Sequence, residues 1–188
     1  MLKRLLSLAL VSLVLLSLPS CGKDGETADE TTSAPETTSG KPLEPETAPD
    51  FTVYTADGEP VKLSDMKGTP VVLNFWASWC PPCKSEMPDF NEICGELEGK
   101  VEFMMVNLTD GERETVESAR NFIHMMEYTF PVYYDTAMDA STVYGIQSIP
   151  TTFFIDAEGR LIAYGSGAMD AETLRRGIAM IYTEISDK

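Results

Sequence analysis

Three features of the sequence predict an α/β fold with a central mixed β-sheet flanked by helices. Residues 70–75 form a mostly apolar run of strand length, interrupted at Asn74. Residues 112–126 repeat apolar side chains at helical spacing, with Val116, Ala119, Phe122, Ile123 and Met126 on one stripe. Strand-like and helix-like segments alternate from there to the end of the chain, which places helices on both faces of one sheet.

Taken in order, residues 51–54 and 61–63 read as two short strands around the Asp57-Gly58 turn, an N-terminal hairpin. The buried strand 70–75 follows. Residues 84–97 read as a helix that Pro88 interrupts, because proline removes a backbone donor. Residues 101–108 form a second apolar strand, 112–126 the striped helix, 131–134 another strand and 138–144 a short helix. Residues 151–155 and 161–164, joined by the turn at 156–159, form a hairpin, and 171–185 a closing amphipathic helix. There is no internal repeat.

The first twenty residues stand apart. Lys3 and Arg4 precede an uncharged apolar run, 5–18, that ends in Leu18-Pro19-Ser20-Cys21-Gly22. This is the layout of an export signal, and the run is shorter than the roughly 20 residues a membrane-spanning helix needs. Cys21 after a small residue, with Leu18 three positions upstream, resembles a bacterial lipobox, although Pro19 departs from it. Lipidation of Cys21 would supply a membrane anchor of two acyl chains. Residues 21–48 are rich in Thr, Glu and Pro, with Leu43 the one large apolar residue. They read as a disordered linker, leaving 49–188 as the folded domain. Export would remove Lys3 and Arg4 and take the formal charge from −16 to −18, which disfavours nucleic acid as a partner.

The chemistry lies in Asn74-Phe75-Trp76-Ala77-Ser78-Trp79-Cys80-Pro81-Pro82-Cys83-Lys84, a CxxC pair just past a buried strand and at the start of a helix. The attacking sulfur must be a thiolate, and a helix N-terminus favours anions, so Cys80 is the expected nucleophile and Cys83 the resolving thiol. Zinc is disfavoured because a structural site needs four ligands, and Cys94 and His124, the cysteine and histidine left outside the anchor, lack ligand spacing. A purely structural disulfide across so small a loop would stabilise little. Cys94 reads as a small buried hydrophobe, His124 as structural, and Met104-Met105 and Met125-Met126 as core. No metal or cofactor is expected.

With Pro88 five residues past Cys83 and Gly145-Ile146-Gln147-Ser148-Ile149-Pro150-Thr151 downstream, the chain from about residue 50 resembles the thioredoxin superfamily. Within it, the chain is most similar to the TlpA and ResA type of extracytoplasmic thiol-disulfide oxidoreductase, an AhpC/TSA- and Redoxin-like group. The resemblance implies a thioredoxin-like fold in which 112–134 is an inserted helix and strand. It also implies that Pro150 is cis beside the cysteines and that the Ile149 backbone, Trp79, Pro81 and Pro82 form the substrate-docking surface. Thioredoxin itself carries a buried aspartate where Asn74 stands. Glu86, one helical turn past Cys83, matches the acid of ResA-like members; if buried, it would have a raised pKa and could take a proton from Cys83.

The implied partners are exported proteins with disulfides, such as apocytochrome c during cytochrome c maturation or an extracellular methionine sulfoxide reductase. A membrane thiol carrier of the CcdA or DsbD type would supply electrons. A monomer tethered outside the cell by its lipid is expected. The same residues serve a disulfide-forming oxidant, so the direction stays open. A thiol peroxidase is disfavoured because Ala77 stands where peroxiredoxins place threonine. A non-enzymatic binding lipoprotein on the same scaffold is opposed by the intact CxxC pair and Pro150.

Overall fold

A computed structural model describes residues 46–183. The expected export segment, Cys21 and the linker as far as residue 45 lie outside the described residues. Seven strands form one mixed sheet in the order β2-β1-β5-β4-β3-β6-β7. In chain order the elements are β1 (Thr52–Tyr54), β2 (Pro60–Lys62), a single 3₁₀ turn (Leu63–Met66), β3 (Val71–Trp76), α1 (Pro81–Glu96), β4 (Glu102–Asn107), α2 (Val116–Met125), β5 (Val132–Tyr134), α3 (Asp139–Val143), β6 (Thr151–Ile155), β7 (Leu161–Ser166) and α4 (Ala171–Ile181).

β3 organises the domain. Every residue in it is buried because both faces of the sheet are covered, which is why the sequence shows an apolar run broken at Asn74 rather than alternation. Its side chains still divide by a period of two. Val72 and Trp76 enter the core shared with Met87, Phe90, Phe103, Phe154 and Leu174, whereas Val71, Leu73 and Phe75 join Phe51, Val53, Met104, Val106 and Phe153 on the other face. β3 runs parallel to β4, with α1 as the connection, and antiparallel to β6. The β1–β2 hairpin extends the sheet through β5, where Tyr54 lies opposite Tyr134.

Several boundaries differ from the sequence reading for identifiable reasons. α1 starts at Pro81, three residues early, since prolines are well suited to the first helical positions, which need no N–H partner. α2 starts at Val116 rather than residue 112: Asp110 Oδ1 accepts the N–H groups of Glu112, Arg113 and Glu114 and holds them in a turn, and Thr115 then caps the helix with Ser118. α2 ends at Met125, and Glu127 adopts a left-handed conformation. Met125 and Met126, read as core, are therefore exposed at 73% and 46%. His124 is exposed as well, so packing is not its contribution. Cys94 is half-buried rather than enclosed. α4 stops at Ile181, with Tyr182 extended. The ordered domain begins by residue 46: Thr47 bridges Arg160, the Ala48 N–H donates to the Gly159 carbonyl and Ala48 is buried, so residues 46–48 belong to the fold and not to the linker.

α4 lies on β6 at Gly177, where a Cβ atom would enter the van der Waals envelope of the Phe154 ring. Alanine would gain up to about 1 kcal/mol of helix propensity, but overpacking a core costs about 1–3 kcal/mol. Gly177→Ala should therefore lower the urea unfolding midpoint by the equivalent of about 1 kcal/mol; a raised midpoint would show that the ring has room to move.

Candidate active site

Cys80 and Cys83 form a disulfide with their Cα atoms 5.3 Å apart. Cys80 is the N-cap of α1 and its Sγ accepts the N–H of Cys83 at 3.2 Å. The same backbone donor would stabilise a Cys80 thiolate after reduction, together with the dipole of a sixteen-residue helix. Cys80 retains 2% exposure and Cys83 none, so the residue at the cap is the one nearer to solvent. Its Sγ lies 3.7 Å from the Ile149 carbonyl oxygen, and the Ile149–Pro150 peptide is cis. Pro81 and Pro82 are exposed beside the pair, and Trp79 is half-buried. The two cysteines, Trp79, the prolines and the Ile149–Pro150 turn, far apart in sequence, thus meet at one place.

Glu86 is 1% exposed. It sits three residues past Cys83 on α1, on the same helix face, where side chains are roughly 5–6 Å apart at Cβ. Asn74 Nδ2 donates to its Oε1 at 2.8 Å and the Met169 N–H to its Oε2 at 2.9 Å. Asn74 Nδ2 also donates to Thr152 Oγ1 at 3.0 Å, its cross-strand neighbour in the β3–β6 register. Burial pushes the Glu86 carboxyl up to about 7; the Met169 and Asn74 hydrogen bonds oppose it and do not win. A carboxyl poised there can hold or release a proton near neutrality.

A second polar cluster fixes the approach to the cysteines. Glu114, fully buried, accepts the Ser78 N–H at 3.1 Å and the Asn107 amide at 3.0 Å on Oε1, and the Ser78 hydroxyl at 2.8 Å on Oε2. The neighbouring Arg113 guanidinium lies 3.4 Å from the centroid of the Trp79 ring. Sequence reasoning assigned no role to Glu114, Ser78, Asn107, Arg113, Thr152 or Met169. Only Asn74, a polar residue inside an apolar strand, carried a visible signal. Cys94 lies away from this cluster on the α1 flank, where burial, then Glu102 and Glu98, push its thiol up to about 11, leaving it a poor nucleophile. Among the described residues no group of three or more potential ligands could hold a metal.

The raised Glu86 pKa has a stability consequence. A group protonated more readily when folded stabilises the fold below its unfolded value, 4.5, and that stability is lost as pH rises through about 7. Between pH 4.5 and 8 the oxidised protein should lose on the order of 3 kcal/mol through this group. Glu86→Gln should flatten that slope in urea unfolding, and parallel slopes in the two proteins would contradict a titrating buried Glu86.

The comparisons with known proteins agree with this geometry. The AhpC/TSA family pattern matches residues 45–164. The chain is 35% identical over 135 residues to the thiol-disulfide oxidoreductase ResA of Bacillus thuringiensis, covering 71% of this chain and 76% of the relative. Among solved structures it resembles StoA from Bacillus subtilis, with a TM-score of 0.61 and 32% identity over 71% of this chain and 98% of that one. It also resembles the exposed lipoprotein thioredoxin of Streptococcus pneumoniae, with a TM-score of 0.60 and 34% identity over 68% and 96%. The expected thioredoxin-like fold is thus the observed one, and this chain belongs to the AhpC/TSA family as a thiol-disulfide oxidoreductase of the ResA and StoA type, with Cys80–Cys83 as its CxxC pair.

Proposed function

We propose that the chain is exported, tethered to the membrane through a lipidated Cys21, and reduces disulfides in other exported proteins. The observation that carries the chemistry is Glu86, a buried carboxyl one helical turn beyond Cys83 and poised near neutral pH. Support for the location comes from the export-signal layout of residues 1–20 and from the likeness to a pneumococcal protein described as an exposed lipoprotein. Among the described residues no helix is long and apolar enough to cross a membrane.

In this reading the Cys80 thiolate attacks one sulfur of a substrate disulfide. A mixed disulfide forms and the other substrate sulfur leaves as a thiolate that takes a proton from solvent. Glu86 then accepts the Cys83 proton, and the Cys83 thiolate attacks Cys80 Sγ. The mixed disulfide breaks, Cys80–Cys83 closes and the second substrate thiolate is released, so the substrate gains two electrons and the enzyme loses two. The Ile149 backbone beside Cys80, with Trp79, Pro81 and Pro82, serves as the docking surface, against which an extended substrate segment can pair. Apocytochrome c or a methionine sulfoxide reductase are the substrates we favour, with a membrane thiol carrier of the CcdA or DsbD type restoring the dithiol.

Three measurements test this. In a Cys94→Ser background, Cys83→Ser should accumulate mixed disulfides with exported proteins while Cys80→Ser should not; the reverse pattern would exchange the two roles. The equilibrium potential of the pair should fall near that of thioredoxin, about −270 mV, whereas a value near −120 mV would recast the protein as a disulfide-forming oxidant. Glu86→Gln should slow resolution about 10²-fold at neutral pH and abolish the rise in rate as pH passes 7.

A further inference from the structure

The amide that contacts Glu86 is satisfied on one side only. Asn74 Nδ2 donates to both Glu86 Oε1 and Thr152 Oγ1, while Asn74 Oδ1 is buried and has no hydrogen-bond partner. An orphaned buried acceptor costs about 1–3 kcal/mol, and in a close-packed core it needs a reason. This orientation suits an ionised Glu86, because a carboxylate can only accept. It does not suit a carboxylic acid protonated on Oε1, whose O–H would then point at an N–H. Turning the amide by half a turn about its last torsion, a soft two-fold rotation, presents Oδ1 to both neighbours instead. Oδ1 then accepts from the carboxyl O–H and from the Thr152 hydroxyl, which can act as donor or acceptor, and the two Nδ2 hydrogens take the side on which Oδ1 had no partner.

We infer that Asn74, held by Thr152, is the positioning residue for proton transfer at Glu86: its amide reverses when the carboxyl gains a proton, so that Glu86 stays hydrogen-bonded in both charge states. The inference rests on Glu86 being the proton-transfer group. The single proton moves from Cys83 Sγ to Glu86 Oε1, and no other bond is made or broken in that step. β3 and β6 bring no titratable side chain to this layer. α1 brings Cys83 and, at the rim of the surface groove outside Glu86, Asp89; the start of α4 brings Asp170 to the same rim. The groups that act on the carboxyl are burial, the Met169 N–H and Asn74.

The test is a pH titration from 5 to 9 of the full-length, isotope-labelled disulfide form by NMR. It follows the Glu86 carboxyl carbon together with through-space contacts between the Asn74 amide protons and Thr152. The expected result is that those contacts are present above the Glu86 midpoint and vanish below it, with one shared midpoint. Contacts that persist while Glu86 titrates overturn the inference and leave Glu86 its role; a carboxyl that does not titrate in this range overturns both.

Discussion

A carboxyl group buried in the apolar layer between α1 and the sheet sets the conditions that the surrounding structure meets. Burying an unpartnered carboxyl is expensive, so each oxygen of Glu86 requires a donor, and each donor constrains a different part of the chain. Asn74 has to replace an apolar residue in β3 and Thr152 has to stand opposite it in β6. The Met169 N–H has to be delivered by the turn before α4. That turn follows Gly165, where a side chain would collide with Met169, and Gly167, which is left-handed. The Gly167 N–H donates to the Pro150 carbonyl at 2.8 Å. The segment that holds Glu86 is thereby tied to the turn beside Cys80.

The opposite flank of the cysteines is held by different means. Glu114 gathers Ser78 and Asn107, joining the loop before Cys80 to the end of β4, and Arg113 covers the Trp79 ring. Both residues belong to the turn that Asp110 organises ahead of α2, so the inserted helix does more than enlarge the domain: its leading turn fixes the residue two places before Cys80. A helix cap with a tightly held approach loses less entropy in forming a mixed disulfide than a mobile loop would.

What could be read from the sequence follows from how local each signal is. β3 was legible because double-sided burial leaves a run that is apolar at every position but Asn74, and Cys80 and Cys83 because their spacing carries the chemistry. Glu86 was legible only through likeness to other proteins, since an acid near a helix start is ordinary on a surface. The start of α1 was missed because Pro81-Pro82 also reads as loop, and Met125-Met126 were misread because helical spacing does not say where a helix ends. Residues 46–48 look like linker but find partners on the turn between β6 and β7, which no local pattern records. Glu114 and Thr152 were invisible for the same reason: their partners are 36 and 78 residues away, and only the sheet register and the Asp110 turn bring them together.

The placement of the acid on α1 rather than on β3 has a physical logic. An acid on the strand would address Cys83 across the helix–sheet interface, and its reach would change with any shift of α1 during docking or reduction. Glu86 shares a helix with Cys83, so their separation is set by helix geometry and survives such shifts. The strand position is then free to carry an amide, which can hydrogen-bond Glu86 without adding a second negative charge to an apolar layer. A second carboxyl there would couple to the first and split their titrations, pushing one well above neutrality. Acid on the helix and amide on the strand keep a single group titrating near pH 7 on the helix that carries Cys83.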